Sequence, residues 1–167
     1  MNATAESIRL NLTPELQYVL RIGDTCLIHA QRLVEWCGHG PALEEDIALS
    51  NMALDLLGQA RALLSHAAQL EGQGFDEDQL AFLRDERDYF NMTLVELPMR
   101  RSSAHAPGGD FADTVLRNFL LATWLKALWT ELSASTDGEL AGIAGMLLVV
   151  ARFFDRLAGD ARKFAVG

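Results

Sequence analysis

Four histidines and two cysteines are the side chains of this chain best suited to metal or nucleophilic chemistry. Their spacing decides what they can do. Residues three apart on a helix share a face, so a Glu-x-x-His pair brings a carboxylate oxygen and an imidazole nitrogen to one metal ion. Bundles that hold two irons use two such pairs and two further glutamates. None of His29, His39, His66 or His105 follows an acidic residue at that spacing; Cys26, Trp36, Leu63 and Ser102 stand three residues before them. Glu35 and His39 are four apart, but Gly38 and Gly40 place His39 beyond a helix end, as a solvated turn residue. His29 and His66 fall within helical pattern, where a hydrogen-bonded or solvent-facing role is expected, and His105 falls in a loop.

Other chemistries find little support. The chain has no Gly-x-Gly-x-x-Gly, no P-loop and no Gly-x-Ser-x-Gly. Cys26 and Cys37 both sit on one apolar seam, which predicts buried, inert thiols. A metal-dependent oxygenase would need carboxylates such as Asp24, Asp55 and Glu131 to converge without histidines. Lys126 lies on a largely apolar helix. It either snorkels outward or stands in for a metal cation by pairing with a buried carboxylate such as Asp55. The run Arg84-Asp85-Glu86-Arg87-Asp88 reads as a solvated charged face or an interface patch.

The elements that would position these residues are helices. Half of the 167 residues are apolar, 22% are charged and four are proline, a composition suited to one helical domain. A formal charge of −9 disfavours nucleic acid and anionic membrane surfaces. Residues 1–12 show no export signal, and the longest apolar run, Leu140 to Ala151, is shorter than the roughly 20 residues that span a bilayer. A soluble, cytoplasmic protein is expected, with no membrane and no nucleic-acid partner.

Leu16, Val19, Gly23, Cys26, Ala30, Leu33 and Cys37 alternate three- and four-residue steps, predicting a first helix from Pro14 to about Cys37 behind a Thr13 cap. A second seam, Leu49, Ala53, Leu56, Ala60, Leu63, Ala67 and Leu70, follows a short Gly/Pro turn and stops at Gly72 and Gly74. The two predict an antiparallel helical hairpin. The spacing then predicts a short acidic helix over residues 76–90, an extended Thr93-Leu94-Val95, and a surface loop from Met99 to Gly109. A third helix starts at Asp110, runs to about Ala134 and carries Trp124 and Trp129, one of them suited to an interface. A fourth follows Thr136, with Glu139 at the capping-box position. Four long helices with a longer crossover between the second and third predict an all-α, ferritin-like up-down bundle forming one domain over residues 1–167.

Several separated blocks resemble the PaaC family, the non-catalytic ferritin-like subunits of bacterial phenylacetyl-CoA 1,2-epoxidase. They include Arg21-Ile22-Gly23-Asp24-Thr25-Cys26-Leu27, Gln31 to His39, Asp46 to Asn51, Leu54 to Arg61, Arg84-Asp85-Glu86-Arg87, Leu94-Val95-Glu96 with Pro98, and Asp110 to Thr114. The resemblance covers roughly Leu16 to Ala151. It implies a subunit without iron of its own that stabilises a catalytic sister, PaaA, whose di-iron centre epoxidises the ring, in an assembly that also contains a reductase. On the second helix, Leu56 and Gln59 take the places of a ligand Glu and His. On the fourth, where members usually carry a Glu and a His four residues later, this chain has Val150 and Phe154. From Phe153 the likeness fades, the central loop is longer than in the family, and the family's further C-terminal helices are absent before Gly167.

The expectation is therefore a structural subunit with no cofactor of its own, in a hetero-oligomer with a PaaA-type catalytic subunit and other epoxidase subunits. The other readings are a self-standing ferritin-like oxygenase and a truncated bundle that self-associates.

Overall fold

A computed structural model describes residues 7–97 and 111–148. Among the described residues every regular element is helical. The chain divides into two compact units, Met1–Arg117 and Asn118–Gly167.

The first unit is built on two long helices, α1 (Pro14–Val34) and α2 (Leu43–Glu71). Thr13 Oγ1 accepts from the Leu16 amide at 3.2 Å, and Pro14 occupies the first turn, where its missing N–H costs nothing. α1 ends earlier than its seam predicts. After Val34 the chain tightens into three-residue turns, with Cys37 N donating to Val34 O and His39 N to Trp36 O, and Gly38 adopts φ +77°. Asp46 then accepts from Gly38 N at 2.7 Å, and Gly40 passes so near Asp46 that a Cβ would lie 2.9 Å from the Asp46 Cβ. α2 begins without a side-chain cap, but Glu44, Glu45 and Asp46 lie in its first turn, where the helix dipole favours carboxylates. It ends at Gly72, with φ +74°.

The hairpin is antiparallel. Gly38 meets Asp46 at one end, Gly23 lies against Leu63 and Leu64 in the middle, and Asn11 N donates to Glu71 at the other. The expected seams form its interior: Leu16, Val19, Gly23, Cys26, Ala30 and Leu33 face inward from α1, and Leu49, Ala53, Leu56, Ala60, Leu63 and Ala67 from α2. Alanines alternate with leucines on α2, so the helices approach closely at each small residue. The seam ends differ from expectation. Leu70 is exposed and Glu71 is buried in its stead, bound by the backbone amides of Asn11 and Gln73.

Cys26 and Cys37 also part company. Cys26 is buried, whereas Cys37 is exposed because α1 stops short of it. Burial pushes the Cys26 thiol up to about 12. The neutral thiol is thus the form that folding favours. Its contribution to stability is complete below the ordinary value of 9.0 and is lost as pH rises from there through about 12. At about pH 8 a thiol reagent should modify Cys37 rapidly and Cys26 only at the rate of unfolding. Equal labelling of both in the native chain would contradict this placement.

The stretch after α2 is not the single acidic helix expected over residues 76–90. It forms α3 (Glu77–Phe82), with an Asp76/Gln79 capping box, then a 3-10 turn at Glu86–Asp88. Residues 93–95 are not extended either; they lie in one helical turn, α4 (Thr93–Glu96). The Met99 to Gly109 loop lies outside the described residues. α5 (Phe111–Leu132) starts against the end of α1: the Trp36 and Phe111 rings meet edge to face at 5.4 Å, and Trp36 Nε1 donates to Thr114 Oγ1 at 2.9 Å.

Within the second unit, α5 buries Leu121, Leu125 and Trp129 and leaves Trp124 exposed, so the inward tryptophan is the second of the pair. A further helix, α6, spans residues 138–148. Its cap is Asp137, whose Oδ1 accepts from Glu139 N and Leu140 N at 3.0 Å, rather than the Thr136/Glu139 box. No helix among the described residues is long and apolar enough to cross a membrane.

Candidate functional site

The most concentrated polar chemistry lies where α1 passes under the segment between α3 and α4. Asp24, Thr25 and His29 are fully buried, although only one stripe of an amphipathic helix need be. The second face of α1 is covered by residues 84–95, and hydrogen bonds hold them there. The Arg84 guanidinium binds Asp24 through both terminal nitrogens, Nη1 to Oδ2 at 3.0 Å and Nη2 to Oδ1, with both side chains inaccessible to solvent. Its Nε donates to Leu80 O and its Nη1 also to Asp88 O, and its Cζ lies 4.5 Å from the Tyr89 ring centroid. The Phe90 amide donates to Asp24 Oδ2 at 2.9 Å. One residue on, Thr25 Oγ1 donates to Arg21 O and accepts from Met92 N at 3.1 Å. Arg32 Nε completes the seam by donating to Val95 O at 3.4 Å.

This arrangement is a clasp. A buried carboxylate has its charge met by a planar bidentate partner, and that partner's remaining donors tie down the loop that carries it. Burial pushes the Tyr89 phenol above its ordinary value, with Asp24 adding to the rise and Arg84 opposing it. The hydroxyl therefore stays protonated and donates to Ala81 O at 2.5 Å. Asp24 is committed to Arg84 and the Phe90 amide, and nothing in the cluster is a nucleophile or a base facing open space.

The expectation of a solvated Arg84 to Asp88 face is corrected at its first residue, because Arg84 is drawn inward by Asp24. The link joins residues 60 apart and no helical period marks it. A signal did exist: a carboxylate inside Ile22-Gly23-Asp24-Thr25-Cys26-Leu27 needs a cation or donors to be buried at all.

The two α2 positions that the family resemblance assigns to iron ligands carry Leu56 and Gln59, one apolar and one weakly coordinating. Leu56 is buried on the α1-facing side of α2 and has no donor atom. Gln59, one turn on, is half-buried, and its Oε1 is enclosed without a hydrogen-bond partner among the described residues. An amide oxygen is a poor substitute for imidazole toward iron. These two residues do not fit a metal centre. Val150 and Phe154 lie outside the described residues. Asp55 and Lys126, read as a possible buried charge pair, are each exposed, as is Glu131. The reading of a buried charge at Asp55 and Lys126 is corrected: the buried ion pair of the described residues is Asp24–Arg84. Among the described residues no three His, Cys, Asp or Glu side chains are grouped to hold a metal ion.

A profile of phenylacetic acid catabolic proteins, the PaaA_PaaC family, matches residues 1–156. The chain belongs to this family. It is 50% identical over 141 residues to the C subunit of 1,2-phenylacetyl-CoA epoxidase from Escherichia coli strain K12. The aligned part is 84% of this chain and 53% of that protein, so the chain spans about half the length of the curated relative it matches. The PaaA_PaaC match contains the whole hairpin and the Asp24–Arg84 clasp. The clasp accounts for two of the sequence blocks that carried the resemblance, Arg21 to Leu27 and Arg84 to Arg87: they are the two halves of one buried contact.

Proposed function

We propose that this chain is a structural, non-catalytic subunit of a multicomponent phenylacetyl-CoA ring epoxidase. In phenylacetate catabolism it would stabilise the di-iron catalytic subunit, a PaaA-type homologue, in a complex with the other epoxidase subunits. Its similarity to one subunit of such an epoxidase supports the complex. The observation that supports the non-catalytic role is Leu56, an alkyl side chain packed into the hairpin where the family resemblance puts a ligand carboxylate. Iron belongs on this reading to the catalytic partner, and dioxygen activation with it; the present chain contributes shape and apolar surface. Exposed apolar side chains on α2 and α5, among them Leu43, Leu54, Leu116 and Phe119, supply surface of the kind obligate partners bury. The complex is placed in the cytoplasm.

Co-expression with a PaaA-type catalytic subunit tests this. The expected result is a hetero-oligomer that stays together on a sizing column at micromolar concentration, and a catalytic subunit that is less stable without this chain. Clean separation of the two would overturn the proposal.

A further inference from the structure

Residues 7–13 belong to no helix, yet hydrogen bonds hold them along their length. Ile8 and Leu10 are half-buried while Arg9 and Asn11 are exposed, the alternation of an extended segment lying on a surface. One end of it is fixed to the hairpin. Thr13 caps α1, the Asn11 amide donates to the buried Glu71 carboxylate at 3.3 Å, and Gln73 Nε2 donates to Arg9 O at 3.5 Å. The other end grips the loop that carries the clasp. The Ile8 amide donates to Leu83 O at 3.1 Å, and Ser7 Oγ accepts from the Asp85 amide at 3.0 Å while donating to the Asp88 carboxylate. Leu83 and Asp85 are the two residues that flank Arg84.

We propose that residues 7–11 are a latch on the cover over the second face of α1: the latch seats and the Asp24–Arg84 clasp closes as one cooperative step. The guanidinium of Arg84 is held by Asp24, and the backbone on both sides of Arg84 is held by Ile8 and Ser7. Asp88 joins the two sets of contacts, its carbonyl accepting from Arg84 and its carboxylate from Ser7. Lifting Ser7 and Ile8 takes the partners from Leu83 O and the Asp85 amide and lets the loop move off Asp24. The Phe90 and Met92 amides, held by Asp24 and Thr25, then open with it. Contacts that share residues in this way are coupled, and the coupling is reciprocal. A change at the latch is therefore felt at the clasp, and a change at the clasp is felt at the latch. The device is separate from the support role, and its test uses this chain alone.

Two variants of the full chain test the first direction. Ile8→Pro removes the amide that binds Leu83 O, and Ser7→Ala removes the hydroxyl that binds Asp85 and Asp88. Each should speed hydrogen exchange at Phe90 and Met92 by about three- to tenfold, the scale of one hydrogen bond, with the amides of the α1–α2 interior unchanged. Trypsin reads the reverse direction. Arg9 is exposed, but cleavage after it requires Arg9 O and the Ile8 and Asn11 amides to leave their partners. Arg84→Met should raise the cleavage rate after Arg9 by about fivefold or more beyond any rise at Arg61 within α2. Unchanged exchange at Phe90 and Met92 in both latch variants would overturn the proposal. So would an increase spread equally over the hairpin interior, which would make residues 7–11 a general stabiliser, or cleavage after Arg9 and Arg61 rising in step. Each of these results would leave the support role standing.

Discussion

Arg84→Met is expected to destabilise the chain by about 3–5 kcal/mol, the range for breaking a buried ion pair from one side. Methionine fills much of the space of the arginine stem but leaves Asp24 charged, fully buried and stripped of its bidentate partner. The Phe90 amide alone cannot offset that charge. The loss should extend beyond the pair, because Arg84 also holds Leu80 O and Asp88 O. With these ties gone, the cover over α1 loosens, and the Phe90 and Met92 amides should exchange with solvent faster than those of the α1–α2 interior. The double variant Asp24→Leu/Arg84→Met should recover much of the stability, since no orphaned charge remains. Chemical denaturation with hydrogen exchange reads both effects. A change below about 1 kcal/mol, the scale of an exposed ion pair, with Phe90 and Met92 still protected, would show that the clasp does not hold this segment.

The second large effect concerns Leu56. Leu56→Glu places a carboxylate against α1 in the hairpin interior, removing leucine packing and adding a group that resists ionisation there. The expected cost is about 3–5 kcal/mol near neutral pH, from lost burial and carboxylate desolvation together. The sign of its pH dependence is fixed. Burial would raise the folded-state value of the new carboxyl above its unfolded value of about 4.3. The deficit relative to the parent should therefore be smallest below about pH 4 and grow as pH rises through the raised value. Thermal melts across that range test it. An interior built as a ligand pocket would behave oppositely, accepting the glutamate with little loss and gaining stability on addition of ferrous iron.

The parts of this fold that are legible in the sequence are those governed by local chemistry. The α1 and α2 seams have a helical period, and Thr13, Pro14, Gly38 and Gly72 punctuate them, so the hairpin can be read residue by residue. The segment from Glu77 to Glu96 cannot, because long-range polar contacts shape it. Arg84 turns inward to satisfy Asp24, and that turn ends α3 at Phe82 where composition alone would continue it. Thr25 captures the Met92 amide and so helps set the one-turn helix α4 where β-branched residues suggest an extended strand. Cys37 departs from its expected burial for a simpler reason: its seam spacing is right, but the helix gives way to tight turns three residues earlier. Leu56 and Gln59 lack good ligand atoms, as their residue types alone dictate. Lys126 and Asp55 do not take the interior role that an apolar helix suggests for them, since both side chains are exposed.

The central claim is that iron in the assembly resides with the catalytic subunit and not in this chain. Elemental analysis of this chain, purified alone from iron-replete cells and again as its complex with a PaaA-type catalytic subunit, tests it most directly. The account predicts negligible iron in the chain alone, and an iron content of the complex that follows the number of catalytic subunits. Near-stoichiometric iron bound to this chain by itself, lost when Asp55 or Glu131 is replaced, would contradict it.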